Sequence, residues 1–302
     1  MNEVKLKYSK PPLTLNEQII LLKTRGLIVE NDNELKYYLK NISYYHLSIY
    51  FKHFQDADKF YNGVSFNDIL RIYKFDNKLR FLLLELLERI EKSFKCRMAY
   101  ELSIECGTGH WYLNKSFFVD VNRHSEILKI ISDEVAKSGE ISISHYKETY
   151  SEPPLPPIWN IIEILSFGQC VKICKSLKRE YRNKISRTFG EDEKFILSWM
   201  HCLSALRNNC AHHSRLWNKV FNFTPNKSHN KYQAYFSTKN EIRLFDFLIV
   251  LQIILSKINP TSSWLSRLKD NISEFTIDTR SMGFPDDWET KFNKIIADSQ
   301  SL

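Results

Sequence analysis

The feature that most constrains the fold is a stretch of the chain, residues 66 to 103, that contains neither glycine nor proline. Its apolar residues recur at spacings near 3.5 residues or twice that, which is the period of an amphipathic α-helix. Ser65, followed by Asp68, supplies a start signal. The pattern predicts one helix of roughly 35 residues, about 50 Å long at 1.5 Å per residue, with an apolar stripe of Ile72, Leu79, Leu83, Leu86 and Ile90.

The charged residues of this stretch lie between the apolar ones. Most of them are expected to form pairs three or four residues apart on a solvated helix face. They are Arg80, Glu88, Arg89, Glu91, Lys92 and Lys95.

The rest of the chain also favours helices. Only 8 glycines and 9 prolines interrupt 302 residues, so the turn signals that many short strands would need are scarce, and no β-hairpin is expected. Thr14 and Glu17 form a capping-box pattern for a first helix that ends near Gly26. The apolar run from 244 to 258 is too short to span a bilayer and predicts a buried helix.

These patterns predict an all-α protein. We expect a helical-bundle domain over residues 64–302 and an additional N-terminal helical region, residues 1–63, packed on its core.

The charge of the chain favours a polyanionic partner. A net charge of +8 and a pI near 9.0 point first to nucleic acid, although a solvated lysine-rich surface would give the same balance. The six cysteines show no repeating framework, which fits the reducing cytoplasm. The first 18 residues have no apolar core of a secretory signal, so we expect a cytoplasmic protein without membrane attachment.

The segment "RNNCAHHSRLWN", residues 207 to 218, concentrates titratable side chains at the predicted end of a helix. One interpretation is a metal site, since imidazole and thiolate are zinc ligands. The spacing argues against a metal site, because the paired C-x-x-C or H-x(3)-H motifs of such sites are missing. We therefore expect neither a metal nor another cofactor. The candidate ligands are His201, Cys202, Cys210, His212 and His213.

A second interpretation is ribonuclease chemistry without a metal. Such an enzyme must deprotonate a 2′-hydroxyl, stabilise a doubly charged phosphorane and protonate the leaving 5′-oxygen. His212 is suited to the proton transfers, and Arg207 offers a permanent charge and a planar fork to phosphoryl oxygens. Asn208 precedes His212 by four residues, so its amide could fix the imidazole tautomer. His213 and Arg215 are candidates for holding RNA.

A third interpretation is purely structural. Cations at a helix carboxyl end satisfy the last carbonyls and complement the helix dipole. This explains any one of the residues but not the whole set, and residue chemistry alone leaves catalysis and structure open.

Helical geometry bears on how such a site would be assembled. Arg207 and His212 are five residues apart, so on one ideal helix their Cβ directions differ by about 140°. One chain could unite them if the helix unwinds near Cys210 or through the reach of the arginine. A two-fold dimer could instead pair the arginine of one chain with the histidine of the other. We predict a homodimer with such a composite cleft.

Five stretches of the chain resemble a known family. The Arg-Asn-x(3)-His pattern at 207–212 is similar to the HEPN ribonuclease signature, and residues 207–218 resemble the Abi family of bacterial abortive-infection proteins, of the AbiD and AbiF type. Four further stretches resemble sequences of the same family and occur in the same order. They are residues 10–27, 39–50, 75–94 and 156–168.

The resemblance implies a fold, an activity and partners. It implies a HEPN-like helical bundle that cleaves RNA without metal and arrests phage-infected cells in the manner of a toxin. It also implies dimerisation and a small non-coding RNA that neutralises the protein. The pair of Arg207 and His212, without a metal site, predicts 2′,3′-cyclic phosphate and 5′-hydroxyl ends. Arg207, Asn208 and His212 match the catalytic positions, and His213 and Arg215 match the extended pattern.

Two other functions compete with this expectation. A non-catalytic RNA-binding or regulatory HEPN-like protein would use the cluster only as a phosphate clamp. An antitoxin-like partner protein would be expected to lack the arginine–histidine pair.

Overall fold

The computed structural model describes residue 7, residues 9–228 and residues 231–300. The described chain contains thirteen α-helices and a single two-stranded hairpin, which confirms the predicted all-α class. The prediction that the first 18 residues contain no secretory signal includes residues 1–6 and 8. These residues lie outside the described part of the chain.

The chain forms two compact units. The first comprises Met1–Lys78 and Phe275–Ile277, and the second comprises Leu79–Glu274 and Asp278–Leu302. The predicted division into residues 1–63 and 64–302 stays a prediction, because compactness does not by itself define an independently folding domain.

The first unit contains several short helices, and local sequence signals mark the beginning and the end of the first one. The Thr14 hydroxyl accepts a hydrogen bond from the Glu17 backbone, and the Glu17 carboxylate accepts one from the Thr14 backbone, so the predicted capping box is present. Gly26, at φ +96°, follows the first helix. The elements are α1 (Leu15–Thr24), α2 (Asp32–Ile42), α3 (Tyr44–Phe51), β1 (Gln55–Asp56), β2 (Lys59–Phe60) and the beginning of α4 (Phe66–Cys106).

The two strands form an antiparallel hairpin, so the expectation that no hairpin occurs is wrong. Its turn residues, Ala57 and Asp58, both have positive φ. Neither is the Asn-Gly or Gly-containing pair that normally marks such a turn, and two-residue strands cannot show alternating hydrophobicity. The sequence therefore carries no local signal for this hairpin.

The second unit contains the remainder of α4 and nine further helices. Helix α10 packs against α8, α9 and α11, and α11 also packs against α13. Residues 244–256 are all buried, as predicted for the apolar run. Within the described residues, none of the helices combines the length and the apolar content that a membrane crossing requires. The helices are α5 (Val121–Lys137), α6 (Ile141–Thr149), α7 (Ile158–Ile164), α8 (Phe167–Ser176), α9 (Arg179–Arg187), α10 (Glu193–Ala211), α11 (Leu244–Ile258), α12 (Trp264–Glu274) and α13 (Trp288–Gln300).

Helix α4 confirms the predicted long helix and is longer than expected, at 41 residues. Its charged face is only partly solvated. Glu88 and Lys92 form the expected exposed pair, but Arg80 is 3% exposed, and the side chains of Glu91 and Lys95 are each 13% exposed. The expectation of a solvated face is wrong for these three residues because neighbouring elements cover them.

Asp246 interrupts the apolar surface of α11 with a buried charge. Its carboxylate accepts hydrogen bonds from Lys227 Nζ at 2.6 Å and from the Ser237 backbone at 2.9 Å. Burial raises the pKa of Asp246, because a carboxylate removed from water is harder to ionise, and the hydrogen bonds from Lys227 and Ser237 oppose this shift. The interior charge is therefore tolerated because it has partners.

We expect Lys227→Met to lower the free energy of unfolding at pH 7 by about 2–3 kcal/mol, because it leaves this carboxylate buried without its cation. The folded-state pKa of Asp246 lies above its usual 3.8, and removal of Lys227 raises it further. The loss is therefore largest at a pH above the folded-state pKa of the variant, and it disappears as the pH falls through the folded-state pKa of the wild type, because the protonated carboxyl no longer needs the cation. Urea denaturation across this pH range measures it.

Lys92→Met is the matched control for this prediction. Lys92 also lies 2.6 Å from its carboxylate partner, Glu88, but the two side chains are 74% and 63% exposed. Its removal should change stability far less than the removal of Lys227, because water screens an exposed ion pair. Equal losses in the two variants would contradict the role assigned to burial.

Candidate active site

The carboxyl end of helix α10 presents the residues that sequence analysis singled out. Phe195, Trp199, Leu203 and Leu206 recur three or four residues apart and are all buried, which fixes the orientation of the helix. The polar residues that follow them are therefore held at the end of a rigid element, and Asn208 and the two histidines at 212 and 213 are exposed.

The end of α10 is a Schellman turn. The His213 backbone donates to the Cys210 carbonyl at 3.2 Å, and the Ser214 backbone donates to the Asn209 carbonyl at 2.9 Å. His212 is the capping residue, and His213 adopts φ +57°. Glycine is the usual residue in this left-handed position because a Cβ is disfavoured there. His213 thus occupies a conformation that costs the fold some stability.

Arg207 does not lie free in solvent. Its Nε and Nη2 donate to the two carboxylate oxygens of Glu91 on α4, at 3.1 and 3.3 Å. Its Nη1 donates to the Asn208 amide oxygen at 2.9 Å. The guanidinium is therefore held on one edge by a carboxylate and steadied by its neighbour in sequence.

The Glu91 carboxylate is shared by two cations. Lys95 Nζ lies 2.9 Å from Glu91 and also donates to the carbonyl of Leu165, just after α7, at 2.7 Å. The network therefore joins α4, α7 and α10. Local sequence signals indicated only the pair between Glu91 and Lys95, four residues apart, because the contact to Arg207 spans 116 residues.

The five predicted site residues take different places around the end of α10. Arg207 and Asn208 are in contact, whereas the hydrogen bond expected between the Asn208 amide and the His212 ring is not among those of the described residues. His213 forms the turn that ends α10. Arg215 Nη2 donates to the Asn218 carbonyl at 3.3 Å, which closes the next turn. The functional roles of all five stay predictions.

The potential metal ligands are dispersed. Cys202 and Cys210 are buried, and burial raises the pKa of Cys202 to about 12, so its thiol stays protonated at neutral pH. His201, on the exposed side of α10, has a pKa lowered by partial burial and by the charge of Lys175. Within the described residues, no group of three or more His, Cys, Asp or Glu side chains is placed to hold a metal ion.

The geometry of α10 bears on how a site could be completed. The helix is regular through Ala211, so it does not unwind near Cys210. The Arg207 side chain extends to α4, where it forms an ion pair with Glu91. The assembly of Arg207 and His212 into one site, within a chain or between two chains, stays a prediction.

One comparison with known proteins gave a match. The family model described as Abi-like protein matches residues 37–218, which is more than half of the chain and includes all of α10 and the turn after it. No curated protein and no solved structure matched the chain.

We expect His213→Gly to raise the free energy of unfolding by about 0.5–1 kcal/mol, because glycine adopts the left-handed conformation without the steric cost of a Cβ. Thermal or urea denaturation measures the change. His201→Gly, inside the same helix, is the control and should lower stability by about 0.5 kcal/mol, since glycine is a poorer helix former than histidine. A loss of stability in His213→Gly would mean that the histidine side chain, rather than its backbone, holds this turn.

Proposed function

The chain belongs to the Abi-like protein family, and we propose that it is a metal-independent endoribonuclease of bacterial abortive infection. Membership of the family supports the role in abortive infection. The HEPN-type ribonuclease activity is the further step of the proposal, and it assigns Arg207, Asn208 and His212 to catalysis. In the proposal the substrate is RNA, the protein is cytoplasmic, and a small non-coding RNA neutralises it.

The hydrogen-bonding capacity of Arg207 is the observation that carries this proposal. A guanidinium has five N–H donors, and the contacts with Glu91 and Asn208 use three of them. Two donors remain, one on each terminal nitrogen, which is the pairing that grips two phosphoryl oxygens. Glu91 thus orients Arg207 and leaves its phosphate-binding edge available.

His212 supplies the group that moves a proton. It lies exposed at the end of α10, and an imidazole has nitrogens that can accept and donate a proton. In the proposed reaction the 2′-oxygen of the RNA attacks the adjacent phosphorus and the 5′-oxygen leaves. His212 takes or gives the proton at one of these oxygens, and Arg207 stabilises the charge that develops on the phosphoryl group. The products are 2′,3′-cyclic phosphate and 5′-hydroxyl ends.

The same contact also favours a second function, a non-catalytic RNA-binding or regulatory protein. A carboxylate bound to Arg207 weakens the positive field that a phosphorane would experience. Binding of RNA tolerates this loss better than stabilisation of a doubly charged transition state does. Cleavage assays separate the two functions directly.

We expect the purified protein to cleave labelled RNA equally well with and without EDTA, and Arg207→Ala and His212→Ala to lose roughly 10²- to 10⁴-fold in rate. Electrophoresis and end-group analysis of the products measure both effects. Arg267→Ala is the matched control, because Arg267 also pairs with a glutamate of α4, Glu85, at 2.7 Å. Cleavage at the wild-type rate by folded His212→Ala protein would refute the catalytic assignment.

The proposal includes a composite site in a homodimer, because Arg207 and His212 are five residues apart and their Cβ directions would differ by about 140° on one ideal helix. Co-expressed Arg207→Ala and His212→Ala chains should form a heterodimer with one intact arginine and one intact histidine on different chains, and cleavage should partly recover. Differential affinity tags allow the heterodimer to be purified and assayed. A verified heterodimer as inactive as either parent, or a fully active monomer, would exclude the arrangement in trans.

A further inference from the structure

A groove of about 820 Å³ lies between α4 and α7, beside the ion pair of Arg207 and Glu91. Its volume is within the range of small-ligand sites, roughly 300–1,000 Å³. We call it the α4–α7 groove. Residues on its α4 wall include Lys92, Cys96, Tyr100 and Ile104, and Trp159 and Glu163 belong to its α7 wall.

The groove is continuous with the surroundings of Arg207. Glu88 and Glu91 line it, and the same two carboxylates line a smaller cavity of about 290 Å³ that Arg207 also borders. A strand of RNA whose phosphate is bound at Arg207 therefore has the groove within reach of a neighbouring nucleotide.

Trp159 is an exposed aromatic side chain that the surrounding backbone holds in place. It is 54% exposed, although the next residue before it, Ile158, is buried and its backbone donates to the Gly109 carbonyl at 2.8 Å. A Cβ on Gly109 would lie 2.5 Å from Cη2 of Trp159 and 2.9 Å from Cβ of Pro157. The indole thus packs directly on a glycine, with part of its surface left for a ligand.

Glu163 is the second element of the α7 wall. It follows Trp159 by four residues on the same helix, so the two side chains are neighbours on one face, and both are exposed. Glu88 pairs with Lys92, and Glu91 pairs with Arg207 and Lys95. Glu163 has no Lys, Arg or His partner within ion-pairing distance among the described residues, so its carboxylate can accept hydrogen bonds from a ligand.

We propose that the α4–α7 groove binds an unpaired guanine next to the scissile phosphate, stacked on Trp159 and read by Glu163. Aromatic side chains stack on any unpaired base, and they do not choose among bases. The choice comes from the carboxylate, whose two oxygens are both acceptors. Guanine alone presents two adjacent N–H donors on its Watson–Crick edge, whereas adenine, cytosine and uracil each present a single donor group there.

The charges along the groove favour a nucleotide over a protein helix as the occupant. The pair of Glu88 and Lys92 is exposed at the α4 wall, and a dry protein interface would have to remove both charges from water. A polar nucleotide leaves such pairs hydrated. This inference rests on the proposed ribonuclease function, which supplies the phosphate at Arg207.

The test uses short uridine oligonucleotides, 2′-O-methylated throughout so that they cannot be cleaved, with one central guanine or adenine. The full-length wild-type protein should bind the guanine oligonucleotide more tightly. Glu163→Gln should reduce the ratio of guanine to adenine affinity by about tenfold or more, because an amide offers one donor and one acceptor and so matches adenine. Equal binding of the two oligonucleotides by the wild type, or an unchanged ratio in Glu163→Gln, would overturn the proposal.

Trp159 variants test the stacking separately. Trp159→Ala should weaken binding of both oligonucleotides by roughly 5- to 100-fold, whereas Trp159→Phe should retain most of the affinity. Tyr61→Ala is the control, since Tyr61 is also 54% exposed but lies in the first compact unit. A Trp159→Ala protein that changes its oligomeric state while binding RNA normally would show that the groove is a protein interface, against the proposal.

Cleavage of the unmodified oligonucleotides by the same proteins separates this inference from the proposed function. Selective binding of guanine without cleavage by the wild type would refute the ribonuclease and leave the groove assignment standing. Cleavage by the wild type with no effect of Glu163→Gln on base preference would refute the groove assignment alone.

Discussion

The arrangement of the second compact unit around the candidate site depends on one carboxylate. Glu91 binds Arg207 of α10 through both of its oxygens and also binds Lys95, which in turn reaches the carbonyl of Leu165 just after α7. Each group is largely buried, so the attraction is stronger than it would be in water, and the loss of Glu91 would leave two cations without their anionic partner. Three helices are therefore tied together at the point where the candidate catalytic arginine and the α4–α7 groove meet.

The turn at the end of α10, in contrast, lowers the stability of the fold through its backbone conformation. His213 holds a left-handed conformation in which glycine would be less strained. Strained backbone of this kind concentrates at functional sites, where the surrounding structure determines the conformation. The buried stripe of α10 from Phe195 to Leu206 supplies that support. His212, one residue earlier, is thereby fixed at the exposed boundary between helix and turn.

The parts of the structure that could be predicted are those governed by local sequence. The capping box at Thr14, the long periodicity of α4 and the apolar run of α11 each depend on residues within a few turns of one another. The contact of Arg207 with Glu91 joins residues 116 apart, and no local pattern encodes it. The turn at Ala57 and Asp58 lacks glycine, and the burial of Arg80 depends on neighbouring elements that periodicity does not reveal. The cluster at 207–212 could be located from its composition, but its geometry could not.

Glu91 also connects recognition with chemistry. Its side chain lines both the groove that holds Trp159 and the cavity beside Arg207. An occupant of the groove would exclude water from this carboxylate, and in a less polar environment the contact between Glu91 and Arg207 would become stronger. The arginine would then be held more firmly, with its two remaining donors turned to the phosphate. A base bound in the groove would thus help to order the arginine that the proposed reaction requires, and this ordering would oppose the loss of positive field that the Glu91 carboxylate causes at the phosphate.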